Sequence, residues 1–162
     1  MSESARRAVV ITVSDRSSRG ERHDASGPIA VEALRAEGWD VADATVVADG
    51  PDSVEAALRA ALEAGARVIV TTGGTGVAPR DETPEGTARV LEREIPGIAE
   101  ELRRIGATVK PQGMLTRGLV GIAGSALIAN LPGSPNGVTS GMPVILSLAS
   151  HIVDQLDGHD HP

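Results

Sequence analysis

The chain has 162 residues, no cysteine and one aromatic residue, Trp39, and its 15 Lys and Arg against 22 Asp and Glu leave a formal charge of −7. This composition excludes disulfides and thiolate metal sites, removes the stacking platforms used on single-stranded nucleic acid, and argues against duplex nucleic acid or anionic membranes as partners. The length fits one domain over residues 1–162 with an aliphatic core; no apolar run approaches a membrane span, the start is too short for a secretory leader, and the lack of cysteine fits a reducing, cytoplasmic location.

Residues 7–14, a β-branched run, predict a first buried strand. A polar loop comes next over 15–26, holding Arg16, Arg19 and Arg22. Ser26 is placed to cap a helix with Pro28 near its start and Gly38 at its end. Residues 41–48 predict a second strand and 49–53 a turn. A helix over 52–64 comes after it, with Val54, Ala57, Leu58, Ala61 and Leu62 on one face and Gly65 as its stop. The third strand is 67–72. Pro96 divides a helix over 84–94 from one over 96–105, and 109–113 is ambiguous. Short strands at 118–123 and 126–130 flank Gly124-Ser125. A Gly/Pro loop covers 131–137, a closing helix or helix pair covers 138–157, and an unstructured tail is expected at 158–162. The alternation predicts an α/β fold, a three-layer αβα sandwich whose mostly parallel sheet has one antiparallel strand. Ligands in such sheets sit outside the carboxyl ends of strands. The loops after residues 14, 48, 72 and 130 should therefore converge on one rim.

Residues 71–85 read Thr-Thr-Gly-Gly-Thr-Gly-Val-Ala-Pro-Arg-Asp-Glu-Thr-Pro-Glu. A strand ends in Gly73, Gly74 and Gly76, which permit a sharp turn and close backbone approach to a ligand. Thr83-Pro84-Glu85 supplies a hydroxyl cap, a proline and an acid for a helix start. Strand, glycine loop and helix start make an oxyanion-binding layout, although a tight turn alone would also need glycine. No Gly-Lys-Ser/Thr is present after the loop, so this is not a Walker A loop, and Pro79 rules out Gly-x-Gly-x-x-Gly. Asp49 and Asp81 each come after a strand and suit a Mg²⁺ held together with substrate phosphates. Asp49 also reads as an ordinary turn residue, with Asp52 as a helix cap, and Asp81 as half of a surface ion pair with Arg80. Asn130 donates and accepts at once, as recognition of a heterocycle needs. Thr116-Arg117 adds a hydroxyl and a cation. The histidines are isolated or in the tail and make no metal site, and Ser134 is not in a nucleophile elbow.

The combination of 71–85 with the rest of the chain resembles the Mog/MoaB-like molybdopterin adenylyltransferase family. Val10 to Arg16 looks like its opening strand and Ser-Asp-Arg turn, and Val46-Val47-Ala48-Asp49 its Val-Pro-Asp element with alanine for proline. Ile95-Pro96-Gly97 matches its helix break, Met114-Leu115-Thr116-Arg117 its Leu-Ser-Arg element with threonine for serine, and Asn130 to Pro135 its final loop. The resemblance implies adenylylation of molybdopterin by Mg-ATP with release of pyrophosphate. It implies Asp49 and Asp81 as catalytic, metal-holding carboxylates. Substrate contacts would come from Ser14, Asp15, Thr72, the amides of Gly73, Gly74, Thr75 and Gly76, Arg80, Thr116, Asn130, Gly133 and Ser134. It further implies a homotrimer that passes its product to a molybdenum-insertion enzyme. The alternatives are a molybdopterin carrier without transferase activity and a nucleotide-damage hydrolase domain. The latter carries Asp-Asp where this chain has Arg80-Asp81.

Overall fold

The computed structural model describes residues 6–159, so the expected tail lies outside the described residues beyond His159. Strand β1 (Arg7–Val13) leads through a one-turn helix α1 (Asp15–Ser18) and helix α2 (Gly27–Ala36) to strands β2 (Asp40–Val41) and β3 (Thr45–Val47). Helix α3 (Pro51–Glu63) and strand β4 (Val68–Thr72) are next. Then come α4 (Thr83–Ala88), β5 (Arg93–Glu94), α5 (Pro96–Val109) and a 3-10 turn (Pro111–Leu115). The hairpin β6 (Val120–Ala123) and β7 (Ala126–Leu131) precedes the closing helix α6 (Pro135–Leu156). The sheet order is β2-β1-β4-β7-β6-β5, with β3 also paired to β1. Among the described strands only β6 is reversed, antiparallel to both β7 and β5.

The strands sort their side chains by parity. Ala8, Val10, Val68, Val70, Leu127 and Ala129 pack with Leu34, Ile98, Met142 and Ile145, from α2, α5 and α6. Val9, Ile11, Ile69 and Ile128 face Val54, Leu58 and Ala61 of α3. Helices therefore cover both faces. Strands β4 and β7 are buried along their whole lengths, as central parallel strands are. A single 22-residue α6 covers the sheet; its buried Met142, Ile145, Ala149 and Val153 keep helical spacing while Pro143 sits on the exposed side. Among the described residues no helix is long and apolar enough to cross a membrane.

Where boundaries depart from the expected ones, hydrogen bonding explains the change. The strand expected at 41–48 is two strands, because between the Ala8–Val41 and Ile11–Thr45 pairs the outer strand has one more residue than β1, which makes a bulge. The helix expected over 84–94 stops at Ala88, since the Glu92 N–H donates to the Ile122 carbonyl at 2.9 Å and draws the chain into the sheet as β5. Helix α5 runs on to Val109 and ends where Lys110, extended ahead of Pro111, cannot stay helical. The start of the loop expected at 15–26 is helical, capped by Ser14, whose Oγ accepts from the Ser17 N–H at 3.1 Å.

Strand β1 lies between β3 and β4, and the chain passes from β3 through α3 across to β4. The strand order switches direction beside β1. The crevice outside the carboxyl ends of β1 and β4 is where such sheets admit ligands.

Candidate active site

The glycine loop starts against β1. Gly73 has φ +97°, and a Cβ there would stand 2.3 Å from the Val13 carbonyl oxygen. Gly74 has φ +68°, with the Thr83 hydroxyl and Asp49 Oδ1 beside it. Both positions demand glycine for conformation and for space. Thr83, expected as an N-cap, is instead the first helical residue after Glu82. Its hydroxyl donates to the Gly73 carbonyl at 2.9 Å and its N–H to the Gly74 carbonyl at 3.0 Å. Helix α4 is thereby tied to the loop. Arg117 clamps the other side: Nε donates to the Gly76 carbonyl at 2.8 Å, Nη2 to the Asp81 carbonyl at 2.6 Å, and Nη1 to Glu85 at 2.8 Å. The cation beside Thr116 thus shapes the loop rather than facing the cleft.

Asp15 and Asp49 hold each other. The Asp15 N–H donates to Asp49 Oδ2 at 2.9 Å, and the Asp49 N–H donates to Asp15 Oδ1 at 3.1 Å. Arg80 is not paired with its neighbour Asp81. Its Nε and Nη2 grip Asp15 at 3.1 and 3.2 Å, and Nη2 also reaches the Asp49 carbonyl at 2.9 Å. Asp15 and Arg80, expected as substrate contacts, face each other and line neither part of the cleft; they position Asp49. The Arg80 guanidinium holds the Asp15 carboxyl below its ordinary range. Burial pushes the Asp49 carboxyl up, the charges of Asp15 and Asp81 push the same way, and the Asp15 N–H and Arg80 pull it down. Asp81 accepts from the Ala78 N–H through Oδ2 at 3.1 Å.

The cleft has two lobes. One, of about 430 Å³, lies between the glycine loop, α5 and the start of α6; Thr75, Gly76, Thr116 and Asn130 line it, with an apolar wall of Leu102, Val109 and Leu115. The other, of about 360 Å³, is lined by Ser14, Thr72, Gly73 and Asp49 together with Thr12, Arg22 and His23. Gly74, Asp81, Gly133 and Ser134 line both lobes and mark their junction. Apart from Asp15 and Arg80, the expected residues therefore line one cleft. The α5 wall is not legible in the sequence, because an apolar helix face reads alike whether it covers a core or a cleft. Thr12, Arg22 and His23 carry no sequence signal of their own either.

Asn130 does not present its amide to the cleft. Nδ2 donates to the Thr71 and Thr87 hydroxyls at 2.9 and 3.0 Å, and Oδ1 accepts from the Leu119 N–H at 3.0 Å. Both donors are spent inside the protein, so this residue ties β7 to β4, α4 and the start of β6. Asn130→Ala should destabilise the protein by about 3 kcal/mol, since it strands a backbone N–H and hydroxyls in the interior. Urea denaturation should show the lower midpoint, and an unchanged midpoint would refute the strut. Ser26 also departs from expectation. Asp24 caps α2, accepting from the Ser26 and Gly27 N–H groups at 3.2 and 3.0 Å, and the Ser26 hydroxyl donates to the Gly133 carbonyl at 2.5 Å.

The N–H groups of Gly74, Thr75, Gly76 and Val77 find no acceptor among the described residues, nor do those of Gly133 and Ser134. Successive amides left free in a concave loop form an anion-binding concavity. Ser134 caps α6, its Oγ accepting from the Gly137 N–H at 3.1 Å, so the positive end of a long helix adds to the field. Asp49 and Asp81 each keep Oδ1 without a partner among the described residues while Oδ2 is held by a backbone N–H. Two free carboxylate oxygens fit a hard cation such as Mg²⁺. Among the described residues no group of three or more acidic or histidine side chains could hold a metal. A cation there must take its remaining ligands from water and from a phosphorylated ligand.

On this α/β sheet a glycine loop after β4, an acidic pair and unpaired amides come together at a two-lobed cleft, an arrangement suited to a phosphorylated ligand. The family model described as "Probable molybdopterin binding domain" matches residues 9–151, and the chain belongs to that family. A molybdopterin adenylyltransferase from Pyrococcus furiosus is 39% identical over 153 residues, covering 89% of this chain and 87% of that protein. A molybdenum cofactor biosynthesis bifunctional protein from Synechococcus elongatus is 42% identical and covers 95% of this chain. The chain spans about half the length of that relative (48%) and of its counterpart from Chlorobaculum tepidum (50%). Among solved structures, the molybdopterin biosynthesis Mog protein of Mycobacterium ulcerans has TM-score 0.88 at 44% identity, covering 93% of this chain and 99% of that one. The MoaB structure from Thermus thermophilus has TM-score 0.86 at 40% identity, covering 94% and 96%.

Proposed function

We propose that this chain, as one molybdopterin-binding unit over residues 1–162, adenylylates molybdopterin in molybdenum cofactor biosynthesis. A terminal phosphate oxygen of molybdopterin attacks the α-phosphorus of ATP. A new P–O bond forms, the bond from that phosphorus to the bridging α,β-oxygen breaks, and pyrophosphate leaves. The observation that carries this reading is the junction of two ligand-sized lobes at Gly74, Asp81, Gly133 and Ser134, where unpaired amides meet two half-free carboxylates. Two phosphorylated substrates must touch at one point, and the junction offers that point.

The free amides would hold phosphate oxygens and orient them, which is most of what phosphoryl chemistry asks of a protein. No general base is required, because a phosphate monoester is largely ionised at neutral pH. That fits a junction lined by glycines, Asp81 and a serine whose hydroxyl caps a helix. Asp49 and Asp81 would hold Mg²⁺ through Oδ1, and the cation when bound neutralises charge on the transferring group. Asp15 and Arg80 would keep Asp49 aimed. The carrier reading leaves both free carboxylate oxygens without a task.

After incubation with molybdopterin and MgATP, mass spectrometry should find the pterin heavier by one adenylyl group. Recovery of bound but unmodified molybdopterin would favour the carrier. A homotrimer in the cytoplasm, handing its product to a molybdenum-insertion enzyme, completes the proposal. Sedimentation would report the assembly.

Turnover should also depend on pH through Asp49. Only the ionised carboxylate holds a cation, so the rate should fall as pH drops through its raised pKa. Arg80 pulls that pKa down; removing the guanidinium raises it. In Arg80→Gln the acid limb of the kcat profile should therefore move to higher pH. A limb that stayed in place or moved to lower pH would contradict this role of Asp49.

A further inference from the structure

The lobe that holds Asp49 carries two basic side chains on its wall, Arg22 and His23. Both are exposed, and neither makes a hydrogen bond or ion pair among the described residues. Three cations near the site are taken, Arg19 by Glu21 at 3.0 Å, Arg80 by Asp15 at 3.1 Å and Arg117 by Glu85 at 2.8 Å, while Lys110, its side chain also without a partner among the described residues, lines the other lobe. Arg22 is nevertheless well placed. Before it, the Glu21 N–H donates to the Arg16 carbonyl at 2.9 Å. After it, Asp24 is fixed by the Thr12 hydroxyl at 2.7 Å and by the Gly27 N–H at 3.0 Å. A free guanidinium is thus held between anchored neighbours at the edge of a lobe that also contains Asp24, Asp49 and Asp81.

The lobes differ in chemistry. The α5 lobe has the apolar wall that a flat heterocycle needs, with Lys110 and an Arg103 that donates to the Thr116 and Gly118 carbonyls beside it, whereas the Asp49 lobe is lined largely by hydroxyls, carboxylates and its own two basic groups. The most polar part of the two substrates belongs in the second. We infer that Arg22 grips the β- and γ-phosphates of a nucleoside triphosphate, so that it binds the leaving pyrophosphate and sets preference for triphosphate over monophosphate. The inference rests on the adenylylation reading above. A guanidinium fork matches paired phosphate oxygens, and charge-assisted bonds of this kind are the strong ones. His23 adds a neighbouring donor.

Arg22→Gln keeps most of the side chain's length and breaks no internal contact among the described residues. Arg59→Gln, on α3 where Arg59 is bound to Glu55 and the Arg89 carbonyl, makes the same charge change away from the lobe. Calorimetry with MgATP and with AMP, beside KM for ATP in the transfer assay, separates the cases. In Arg22→Gln, MgATP affinity should fall about tenfold and KM for ATP rise to match, while AMP affinity stays unchanged. Arg22→Lys should lie between, and Arg59→Gln should match wild type. The difference should shrink at high salt, because the group is exposed. Equal MgATP affinity in Arg22→Gln and wild type, or equal loss of ATP and AMP, would overturn the assignment. If wild type turns over ATP and Arg22→Gln is unchanged, the assignment alone falls. If wild type binds no ATP, the adenylylation reading falls and takes the assignment with it.

Discussion

Asp81→Asn is expected to keep the fold and molybdopterin binding while losing adenylyl transfer by at least about 10²–10³-fold. The substitution is isosteric. An asparagine Oδ1 can still accept from the Ala78 N–H, which now reaches Asp81 Oδ2 at 3.1 Å, so the loop has no reason to rearrange. The loss is one negative oxygen at the junction. A metal clamp on a transferring phosphoryl group is worth several kcal/mol in the transition state, and each 1.36 kcal/mol is about a factor of ten in rate. Asp49→Asn should behave alike, because its Oδ2 contact with the Asp15 N–H at 2.9 Å survives in the amide. Steady-state pyrophosphate release and equilibrium binding of molybdopterin separate the two effects. Wild-type turnover in both variants would end the catalytic assignment and leave the carrier. Circular dichroism and a melting curve establish that each variant is folded.

Gly73→Ala is expected to cost more than about 4 kcal/mol and to abolish ordered ligand binding. The added Cβ would meet a backbone oxygen of β1 at 2.3 Å, at φ +97°. Neither the strand end nor the carbonyl can move without opening the β1–β4 ladder that runs through Thr12 and Thr72. Gly38→Ala is the control. Its φ is +86°, but nothing lies within 4 Å of the added carbon, so the cost should be only about 1 kcal/mol. Chemical denaturation of the two variants compares a clash plus strain with strain alone. Equal destabilisation would mean that the close approach of loop and strand is unimportant.

Much of this site is legible in the sequence because parallel sheets obey a simple geometry. Each strand of an alternating βα pattern points the same way, so the loops after β1, β3, β4 and β7 must lie on one rim. The glycine loop, Asp49, Asp81 and Ser134 can be placed there from pattern alone. Pairings across long sequence separations are a different matter. Arg80 sits beside Asp81 in the chain, yet its partner is Asp15, 65 residues away. Asn130 looks like a ligand-reading amide until Thr71, Thr87 and Leu119 are seen to consume it. Local capping also hides: Ser26 and Thr83 are ordinary N-cap residues by type, but one hydroxyl bonds Gly133 and the other Gly73. Helix α4 is cut short by pairing with a strand that comes 30 residues later in the chain (Glu92 with Ile122). Propensity within the segment says nothing of that partner.

Transfer of an adenylyl group, as opposed to mere retention of a pterin, is tested most directly by pyrophosphate release. It should be measured with purified protein, MgATP, and molybdopterin present or absent. Pyrophosphate should appear only with molybdopterin, in step with the molybdopterin consumed, and should vanish in Asp81→Asn. Molybdopterin bound tightly with no pyrophosphate formed, or pyrophosphate formed equally without molybdopterin, would contradict adenylyl transfer at this cleft.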